Sequence, residues 1–346
     1  MKKVAILCGG PSSEHEISCI SASGVLAGLD RARFEPVLIG ITREGSWHLL
    51  PLDYPLSIHQ GRLPRVTNNY PVATLRDGDI YVDSAPLGVK VVFPVLHGPY
   101  GEDGTVQREL EDAHLSYVGS GIESSAIAMD KALSKKYFVD AGIRVAPGIS
   151  FTDTEWESGK ASLLAQACTL GLPLFVKPSR GGSSRGTTKV KSVHDLESAV
   201  THALQFDSIV MIESAVIGLE IECAVLESSE GLIASTPGRV WIDPKFDFYD
   251  FDAKYLDGAT RMDIPAPLDP QVLAQVRTYA VAAFKAIGCK GLARVDFFVT
   301  DLNEIIINEI NTMPGQTPTS AYPKMMQASG YGYKRVLTNL IESAIS

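Results

Sequence analysis

Apolar residues in the N-terminal third of the chain alternate between short unbroken runs and helical spacings. The runs at residues 4–8, 36–41 and 91–96 are typical of strands that are buried on both faces. Apolar residues at helical spacing follow the first and third runs: Ile17, Ile20, Val25 and Leu29, then Val106, Leu110 and Ala113. The alternation predicts an open parallel α/β sheet, in which ligands usually bind beyond the carboxyl ends of the strands.

The middle of the chain has a different pattern. Residues 49–89 are rich in Pro, Asn and Asp, which predicts a surface excursion with short strands. A helix is predicted from about Ser124 to Asp140. Strands at residues 174–177 and 187–190 flank a loop rich in Gly and Ser, which predicts a hairpin with a long tip.

The C-terminal part begins with predicted strands at residues 209–212 and 220–226. A well-marked helix follows, with Asp269 as the N-cap, Pro270 in the first helical position and Gly288 just past the end. A second hairpin closes this region. This order of strands, helix and hairpin predicts an α+β arrangement for the C-terminal half of the chain.

Composition narrows the classes of function. The 346 residues suffice for two or three domains, each with its own core. Lys and Arg number 31 against 40 Asp and Glu, and this net charge of −9 predicts no nucleic-acid partner. The first apolar run stops at Gly9, too short for a signal segment or a membrane span. Five dispersed cysteines without a Cys-x-x-Cys pair indicate reduced thiols in a cytoplasmic protein.

The C-terminal hairpin carries polar residues at alternate positions. Arg294 and Asp296 share one face of its first strand, and Glu309 and Asn311 share one face of its second. Carboxylates among buried Ile and Phe residues need a counter-charge. Because two carboxylates and an amide are hard oxygen ligands, the pattern indicates a Mg²⁺ or Mn²⁺ site. The alternative is a surface hairpin whose polar ends face water.

Lys177 ends a buried strand directly before the Gly/Ser loop. A lysine beside a run of backbone N–H groups is a phosphate-binding arrangement, although the P-loop and the dinucleotide-binding sequence are both absent. A hairpin tip without a ligand is an equal alternative. Residues 182–186 match Gly-x-Ser-x-Gly, but they lead into a strand instead of a helix, which argues against a serine hydrolase.

Four acidic residues and one histidine each have two interpretations. Glu213 and Glu220, at strand ends, can accept hydrogen bonds from an adenine amino group and a ribose hydroxyl, or they face water. Glu14 and Glu16 lie near a helix start, where they cap the helix dipole or bind a substrate ammonium. His97 follows a buried strand and is either structural or catalytic.

Taken together, these segments resemble the D-alanine:D-alanine ligases of the ATP-grasp superfamily, in the family's order and over nearly the whole chain. The matching stretches are residues 9–18, 96–98, 101–105, 129–131, 176–178, 182–184, 249–255, 291–296, 308–312 and 314–315. The ordered set is far more specific than any one stretch.

The resemblance implies an α/β fold in three parts. An N-terminal open parallel α/β domain (residues 1–121) would precede an ATP-grasp module of two α+β subdomains (122–213 and 214–346). ATP would lie between the two subdomains, with Glu213 on the adenine and Glu220 on the ribose. The full nucleotide-binding set would be Lys131, Lys177, Ser184, Glu213, Glu220 and Lys254. Two Mg²⁺ ions, which Mn²⁺ can replace, would be held by Asp296, Glu309 and Asn311.

The reaction implied by the resemblance begins with phosphoryl transfer from ATP to the carboxylate of a first D-alanine. The amine of a second amino acid then attacks the acyl phosphate, and the product, D-alanyl-D-alanine, serves peptidoglycan precursor synthesis. Glu14 would bind the first ammonium and connect through Ser183 to Tyr255 in a closing loop, which would exclude water.

The remaining site residues implied by the resemblance surround the second substrate. Arg294 and the Gly315 N–H would stabilise the oxyanion of the tetrahedral intermediate. His97 would contact substrate, and Ser320 would hold the second carboxylate. The protein would act on small molecules as a cytoplasmic homodimer, without a membrane or nucleic-acid partner.

Residues 316–321 depart from the family pattern. Gln316 stands where an apolar residue is usual, and Thr319 stands where a histidine often precedes the serine. Because this segment is expected to line the second-substrate pocket, a ligase with D-serine or another second substrate is the alternative within the class. A non-catalytic nucleotide-binding relative is the alternative from another class.

Overall fold

Strands and helices alternate along the computed structural model, which describes residues 1–58, 61–242, 260–317 and 319–345. The strands in these ranges are β1 Lys2–Gly9, β2 Phe34–Ile41, β3 Trp47–Leu50, β4 Ala73–Arg76, β5 Asp79–Val82, β6 Ala85–Pro86, β7 Val89–Pro94, β8 Gly148–Thr152, β9 Leu174–Pro178, β10 Thr188–Val190, β11 Ile209–Ser214, β12 Leu219–Ser228, β13 Gly231–Ala234, β14 Gly238–Ile242, β15 Thr260–Asp263, β16 Leu292–Val299 and β17 Ile305–Asn311. The helices are α1 His15–Gly28, α2 Thr105–Asp112, α3 Ile122–Met129, α4 Lys131–Asp140, α5 Asp153–Thr169, α6 Leu196–Ala203, α7 Pro270–Ala286, α8 Ala321–Ala328 and α9 Tyr333–Ile345.

The first sheet has the strand order β3-β2-β1-β7. β2 and β7 run parallel to β1, whereas β3 pairs with β2 in the antiparallel direction at the edge. Successive side chains of β1 point to opposite faces, so Val4 and Ile6 pack with the core that includes α1, while Ala5 and Leu7 pack with α2. The predicted open α/β sheet is confirmed, with one antiparallel edge strand.

The segment between β3 and β7, predicted to be a surface excursion, is partly buried. It holds a small antiparallel sheet, β4-β5-β6, but Tyr54, Leu56 and Val66 are buried in the same core as β1. The Val66 N–H donates to His15 Nε2 at 3.0 Å, which ties the segment to the start of α1. Sparse apolar residues without strand or helix periodicity concealed this packing in the sequence.

The helix predicted from Ser124 to Asp140 is wrong as one element. It is two helices, α3 and α4, which meet at Asp130. Asp130 has extended backbone angles (φ −87°, ψ 97°), and its side chain accepts from Leu133 N as the N-cap of α4. A capping carboxylate stabilises a new helix start at the expense of a continuous helix.

The second sheet, β10-β9-β11-β8, is antiparallel throughout. β9 and β10 form the predicted hairpin around the Gly/Ser loop, with Thr188 opposite Val176. Its apolar face packs on α5 and α6 in a core of its own, formed by Phe151, Trp156, Ala167, Leu174, Val176, Val190, Leu196, Ala199, Val200, Ala203, Val210 and Ile212.

The third sheet has the order β15-β14-β12-β16-β17, with β13 paired to β12. α7 begins after Asp269 and packs its buried apolar residues on one face, together with α3 and α4. α8 and α9 cover the other face, and there Leu226 and Leu292 join the core that holds Val4 and Ile6. The C-terminal helices thus connect the first and third sheets.

The longest helices in the described ranges, α5 and α7, have 17 residues each. Within those ranges, no helix combines the length and apolar character that crossing a bilayer requires.

Candidate active site

A cavity of about 840 Å³ opens where the loops after β1 and β7 face the Gly/Ser loop and the β16–β17 hairpin. This volume lies in the usual range for small-molecule sites. Many residues predicted from the sequence line it: Glu14, His97, Lys131, Ser183, Arg294, Glu309, Asn311, Gly315 and Ser320. Residues far apart in sequence therefore meet at one site.

Glu14 is a buried carboxylate of the cavity wall, with 6% of its surface exposed. The Ser183 hydroxyl donates to Glu14 Oε1 at 2.6 Å. Glu14 Oε2 lies against two glycines, since an added Cβ would come within 2.5 Å of it at Gly98 and within 2.6 Å at Gly182. Glu14 is the N-cap residue of α1, but its side chain makes no capping hydrogen bond to that helix.

Glu16 does not face this cluster. Its two carboxylate oxygens accept from Arg43 Nη2 at 2.6 and 2.7 Å, and Arg43 Nη1 also donates to the Ser12 carbonyl. Burial alone would raise the pKa of Glu16, but the hydrogen bond and the positive charge of Arg43, together with a backbone hydrogen bond, outweigh burial and lower that pKa. Glu16 thus fixes the loop that presents Glu14.

His97 is buried and held on both ring nitrogens. Nδ1 lies 2.9 Å from the Met313 carbonyl oxygen and therefore donates, while Nε2 accepts from the Ser21 hydroxyl at 2.8 Å. Burial lowers the pKa of His97, although the Glu14 charge opposes this. The ring is thus neutral and links the loop after β7 to the loop after β17.

Glu102 makes a second link between these loops, and the sequence pattern did not predict its role. Its carboxylate accepts from Gly98 N at 2.8 Å and from Met313 N at 3.0 Å. Burial, followed by the charge of Glu14, raises the pKa of Glu102 to about 8. An acidic residue between two glycines of a strand-end loop was the available signal.

The β16–β17 hairpin has the predicted register. Arg294 lies opposite Asn311 and Asp296 opposite Glu309. Arg294 binds Asp296 with two hydrogen bonds of 2.7 Å, and Asn311 Nδ2 donates to Asp296 at 3.1 Å. Lys131 Nζ lies 3.2 Å from Glu309 Oε2. The counter-charge required for these carboxylates is thus supplied by two cationic side chains.

The acidic residues of the hairpin have a neighbour on the next strand. Glu222 of β12 lies opposite Asp296 and is 4% exposed, and its Oε1 is 3.4 Å from Arg294 Nε. The signal in the sequence is the alternation of Glu220 and Glu222 with apolar residues, to which the family resemblance adds a role for Glu220 alone. In the described part of the chain no group of three His, Cys, Asp or Glu has metal-binding geometry. The predicted metal ligands, Asp296, Glu309 and Asn311, are two carboxylates and an amide and so are not a group of that kind.

Behind the cavity wall, Lys177 and Glu213 meet in a buried ion cluster. Glu213 Oε2 lies 2.6 Å from Lys177 Nζ, and Oε1 lies 2.5 Å from Lys135 Nζ. Burial would raise the pKa of Glu213, but the two lysines outweigh it and lower that pKa to about 2. Lys135 was not predicted, although it follows Lys131 by four residues on one face of α4.

The end of the cavity next to α8 is polar. Gly315 approaches Ser320 so closely that an added Cβ would come within 2.9 Å of the hydroxyl. Ser320 Oγ accepts from Thr317 N at 3.2 Å and lies 2.8 Å from Thr317 Oγ1. Thr317, Thr319 and Ser320 all line the cavity.

Gln316 is an exception within this segment. Its side chain is fully buried, with Nε2 donating to the Pro314 carbonyl at 3.0 Å, and the Tyr333 hydroxyl donates to its main-chain oxygen at 2.6 Å. The expectation that the whole segment lines the pocket is therefore wrong for Gln316. It packs beneath the loop, where Gly24 of α1 also approaches.

Family models match both halves of the chain. The model described as "D-ala D-ala ligase N-terminus" covers residues 3–120, and "D-ala D-ala ligase C-terminus" covers residues 137–342. The chain belongs to the D-alanine–D-alanine ligase family. It is 46% identical to the D-alanine–D-alanine ligase of Mycolicibacterium smegmatis and 44% identical to that of Arthrobacter sp.. These alignments cover 99% of this chain and 95% and 94% of the two relatives.

Solved structures of the ligase family share the fold. The VanG D-Ala:D-Ser ligase from Enterococcus faecalis superimposes with a TM-score of 0.86 at 34% identity, covering 99% of both chains. The D-alanine–D-alanine ligase from Coxiella burnetii gives 0.84 at 33% identity, covering 100% of this chain and 95% of the other. The α/β fold with an ATP-grasp module is thereby confirmed, and so is membership of an ATP-dependent ligase family.

The remaining ligase-family residues are distributed as follows. Glu220 is half-buried on β12, and Ser184 is half-buried in the Gly/Ser loop with a positive φ of 56°. Ser183 has a φ of 51°, so two consecutive non-glycine residues are left-handed there. Lys254 and Tyr255 lie outside the described residues.

Proposed function

We propose that this protein ligates two D-alanines to D-alanyl-D-alanine at the expense of ATP, through an acyl phosphate, for peptidoglycan precursor synthesis. The observation that carries the proposal is the single cavity that joins the Glu14–Ser183 pair to the Arg294–Asp296 and Lys131–Glu309 pairs. An acceptor for a substrate ammonium thus faces the charged groups that phosphoryl transfer requires.

Glu14 would bind the ammonium of the first D-alanine, because its carboxylate is fixed by Ser183 and by the close approach of two glycines. Neutral His97 would hold the loop after β17 by its Nδ1–H and contact substrate from the cavity wall. Arg294 and the Gly315 N–H would stabilise the oxyanion, and Ser320 would bind the second carboxylate.

The residues of the hairpin fit a divalent cation. Asp296 and Glu309 are opposite each other and Asn311 is on the same face, so two carboxylates and an amide side chain converge. We assign two Mg²⁺ ions, replaceable by Mn²⁺, to this set. When bound, the metal would neutralise phosphate charge. Arg294 and Lys131 now compensate these carboxylates and would then be available to substrate oxygens.

The nucleotide would occupy the region between the second and third sheets. Lys131 and Lys177 would contact phosphates, and Ser184 would assist from the Gly/Ser loop. Glu213 would accept from the adenine amino group and Glu220 would bind the ribose, while Lys254 completes the set. We also propose that Tyr255 closes the site through Ser183 and Glu14 and so keeps water from the acyl phosphate.

A second candidate differs in the second substrate. A D-alanyl-D-serine ligase is favoured by the hydroxyl cluster of Thr317, Thr319 and Ser320 on the cavity wall, and the similar Enterococcus faecalis structure is a D-Ala:D-Ser ligase.

The proposal also includes the domain organisation, the location and the assembly of the protein. We propose domain boundaries at residues 121 and 213, a cytoplasmic location and a homodimer.

The decisive assay is phosphate release from ATP with Mg²⁺ and a panel of D-alanine, D-serine and D-lactate, with dipeptide detected by mass spectrometry. We expect phosphate release when D-alanine is the sole amino acid, with D-alanyl-D-alanine as the product. Preferential formation of D-alanyl-D-serine when both amino acids are present would favour the second candidate. No release with any amino acid would refute the ligase and favour a non-catalytic nucleotide-binding protein.

A further inference from the structure

The Lys135–Glu213–Lys177 cluster contains one carboxylate between two ammonium groups. Lys135 is 7% exposed and Glu213 is 4% exposed, so the cluster is shielded from water. Each carboxylate oxygen has its own lysine, Oε1 with Lys135 and Oε2 with Lys177. The cluster therefore carries a formal net charge of +1, because one ammonium group would suffice to balance the carboxylate.

The two lysines differ in what holds them. Lys177 lies on β9, at the strand end that leads into the Gly/Ser loop, and 12% of its side chain is exposed. Lys135 lies in the middle of α4, which is fixed at its start by hydrogen bonds from Lys131 N and Ala132 N to Ser179. Lys177 is thus placed to change partners, while Lys135 is not.

We propose that Lys135 is a positioning residue for the nucleotide: it stays with Glu213 while Lys177 exchanges that carboxylate for a phosphate oxygen. This inference rests on the proposed ATP dependence and extends it to a residue that contacts neither substrate. A buried carboxylate that loses its last cation is strongly disfavoured. Lys135 removes that penalty, so the extra positive charge of the cluster is what frees Lys177.

The neighbouring residues agree with this division of roles. Burial lowers the pKa of Lys135, and the Glu213 charge opposes that effect, so its ammonium form depends on this carboxylate. Lys131, one helical turn earlier, faces Glu309 and the Gly181 carbonyl instead. α4 therefore presents one lysine to the metal-binding hairpin and the next to β11.

The test measures the dissociation constant of ATP by isothermal titration calorimetry, with Mg²⁺ and without amino acid. Lys135→Met is expected to raise it about 10- to 100-fold, because Glu213 then retains Lys177. Lys136→Met, on the exposed side of the same helix, is the matched control and should stay within about twofold.

A double-mutant cycle separates positioning from general damage to the fold. In a Glu213→Gln background no buried carboxylate competes for Lys177, so Lys135→Met should add less than about threefold. In steady state, Lys135→Met should raise KM for ATP and leave KM for D-alanine unchanged. If circular dichroism shows that Lys135→Met does not fold, Lys135→Gln replaces it with the same expectation.

Two results would overturn the inference: wild-type affinity in Lys135→Met, or an equal loss in both backgrounds. Either would leave the proposed reaction intact if the wild-type protein still releases phosphate with D-alanine. Conversely, a protein that binds ATP and shows the coupling, but releases no phosphate with any amino acid, would refute the reaction alone.

Discussion

Gly182→Ala tests whether the position of the Glu14 carboxylate determines binding of the first D-alanine. A Cβ at this position would lie 2.6 Å from Glu14 Oε2, whereas ordinary contact begins at 3.4 Å. The carboxylate must therefore retreat by 3.4 − 2.6 = 0.8 Å, or the loop must shift by that amount. Since Ser183 donates to the other oxygen at 2.6 Å, the movement also strains that hydrogen bond.

The expected cost is the loss of one charge-assisted hydrogen bond to the substrate ammonium, about 1.5–3 kcal/mol, which is about 10- to 100-fold in kcat/KM for D-alanine. KM for ATP should change little. Phosphate release across a range of D-alanine concentrations measures both constants. A thermal unfolding scan should show a small change, because Gly182 has no left-handed φ.

Gly181→Ala is the matched control. It lies one residue earlier in the same loop, and a Cβ there would meet nothing within 4 Å. Its carbonyl would still accept from Lys131. Equal kcat/KM values for the two variants, within about twofold, would refute the assignment of Glu14 to the first substrate.

Three further predictions address other parts of the site. Asp296→Ala should reduce phosphate release to below about 1% while circular dichroism shows a folded protein, and retained activity would contradict the metal assignment. The lysines lower the folded-state pKa of Glu213 to about 2, so its stabilisation, up to about 3 kcal/mol, is present above about pH 4.5 and is lost as pH falls towards 2. Between pH 7 and pH 3, urea unfolding should therefore show a loss of stability about 2 kcal/mol larger in the wild type than in Glu213→Gln, and equal losses would contradict the ion cluster. Thr319→His should shift the preference among D-alanine, D-serine and D-lactate, whereas Gln316→Met should leave it unchanged because that side chain turns towards Pro314; a shift with Gln316→Met would contradict this placement.

Short-range patterns predicted those parts of the fold whose side chains repeat with a fixed period. Arg294, Asp296, Glu309 and Asn311 were placed together because residues two apart share a strand face, and the observed register agrees. The break at Asp130 was available from its capping residue type, but the apolar spacing on either side favoured one helix.

Contacts that depend on loop shape were beyond such patterns. Glu14 and Ser183 are 169 residues apart, and only the family resemblance connected them. Nothing in the local sequence shows that Gln316 faces inward while its neighbours face the cavity, since the segment has no regular period. The Lys135 ion pair was equally hidden, because a lysine in a helix is usually a solvent-exposed residue.

The shared packing of α8 and α9 has a consequence for how the protein is made. During synthesis, β1 and β7 leave the ribosome long before Tyr322, Met325 and Leu337, which belong to the same core. One face of the N-terminal sheet, which α1 covers in part, therefore stays incompletely covered until α8 and α9 have emerged. We expect the N-terminal part to complete its folding only after these two helices have been synthesised, and to need protection from aggregation until then.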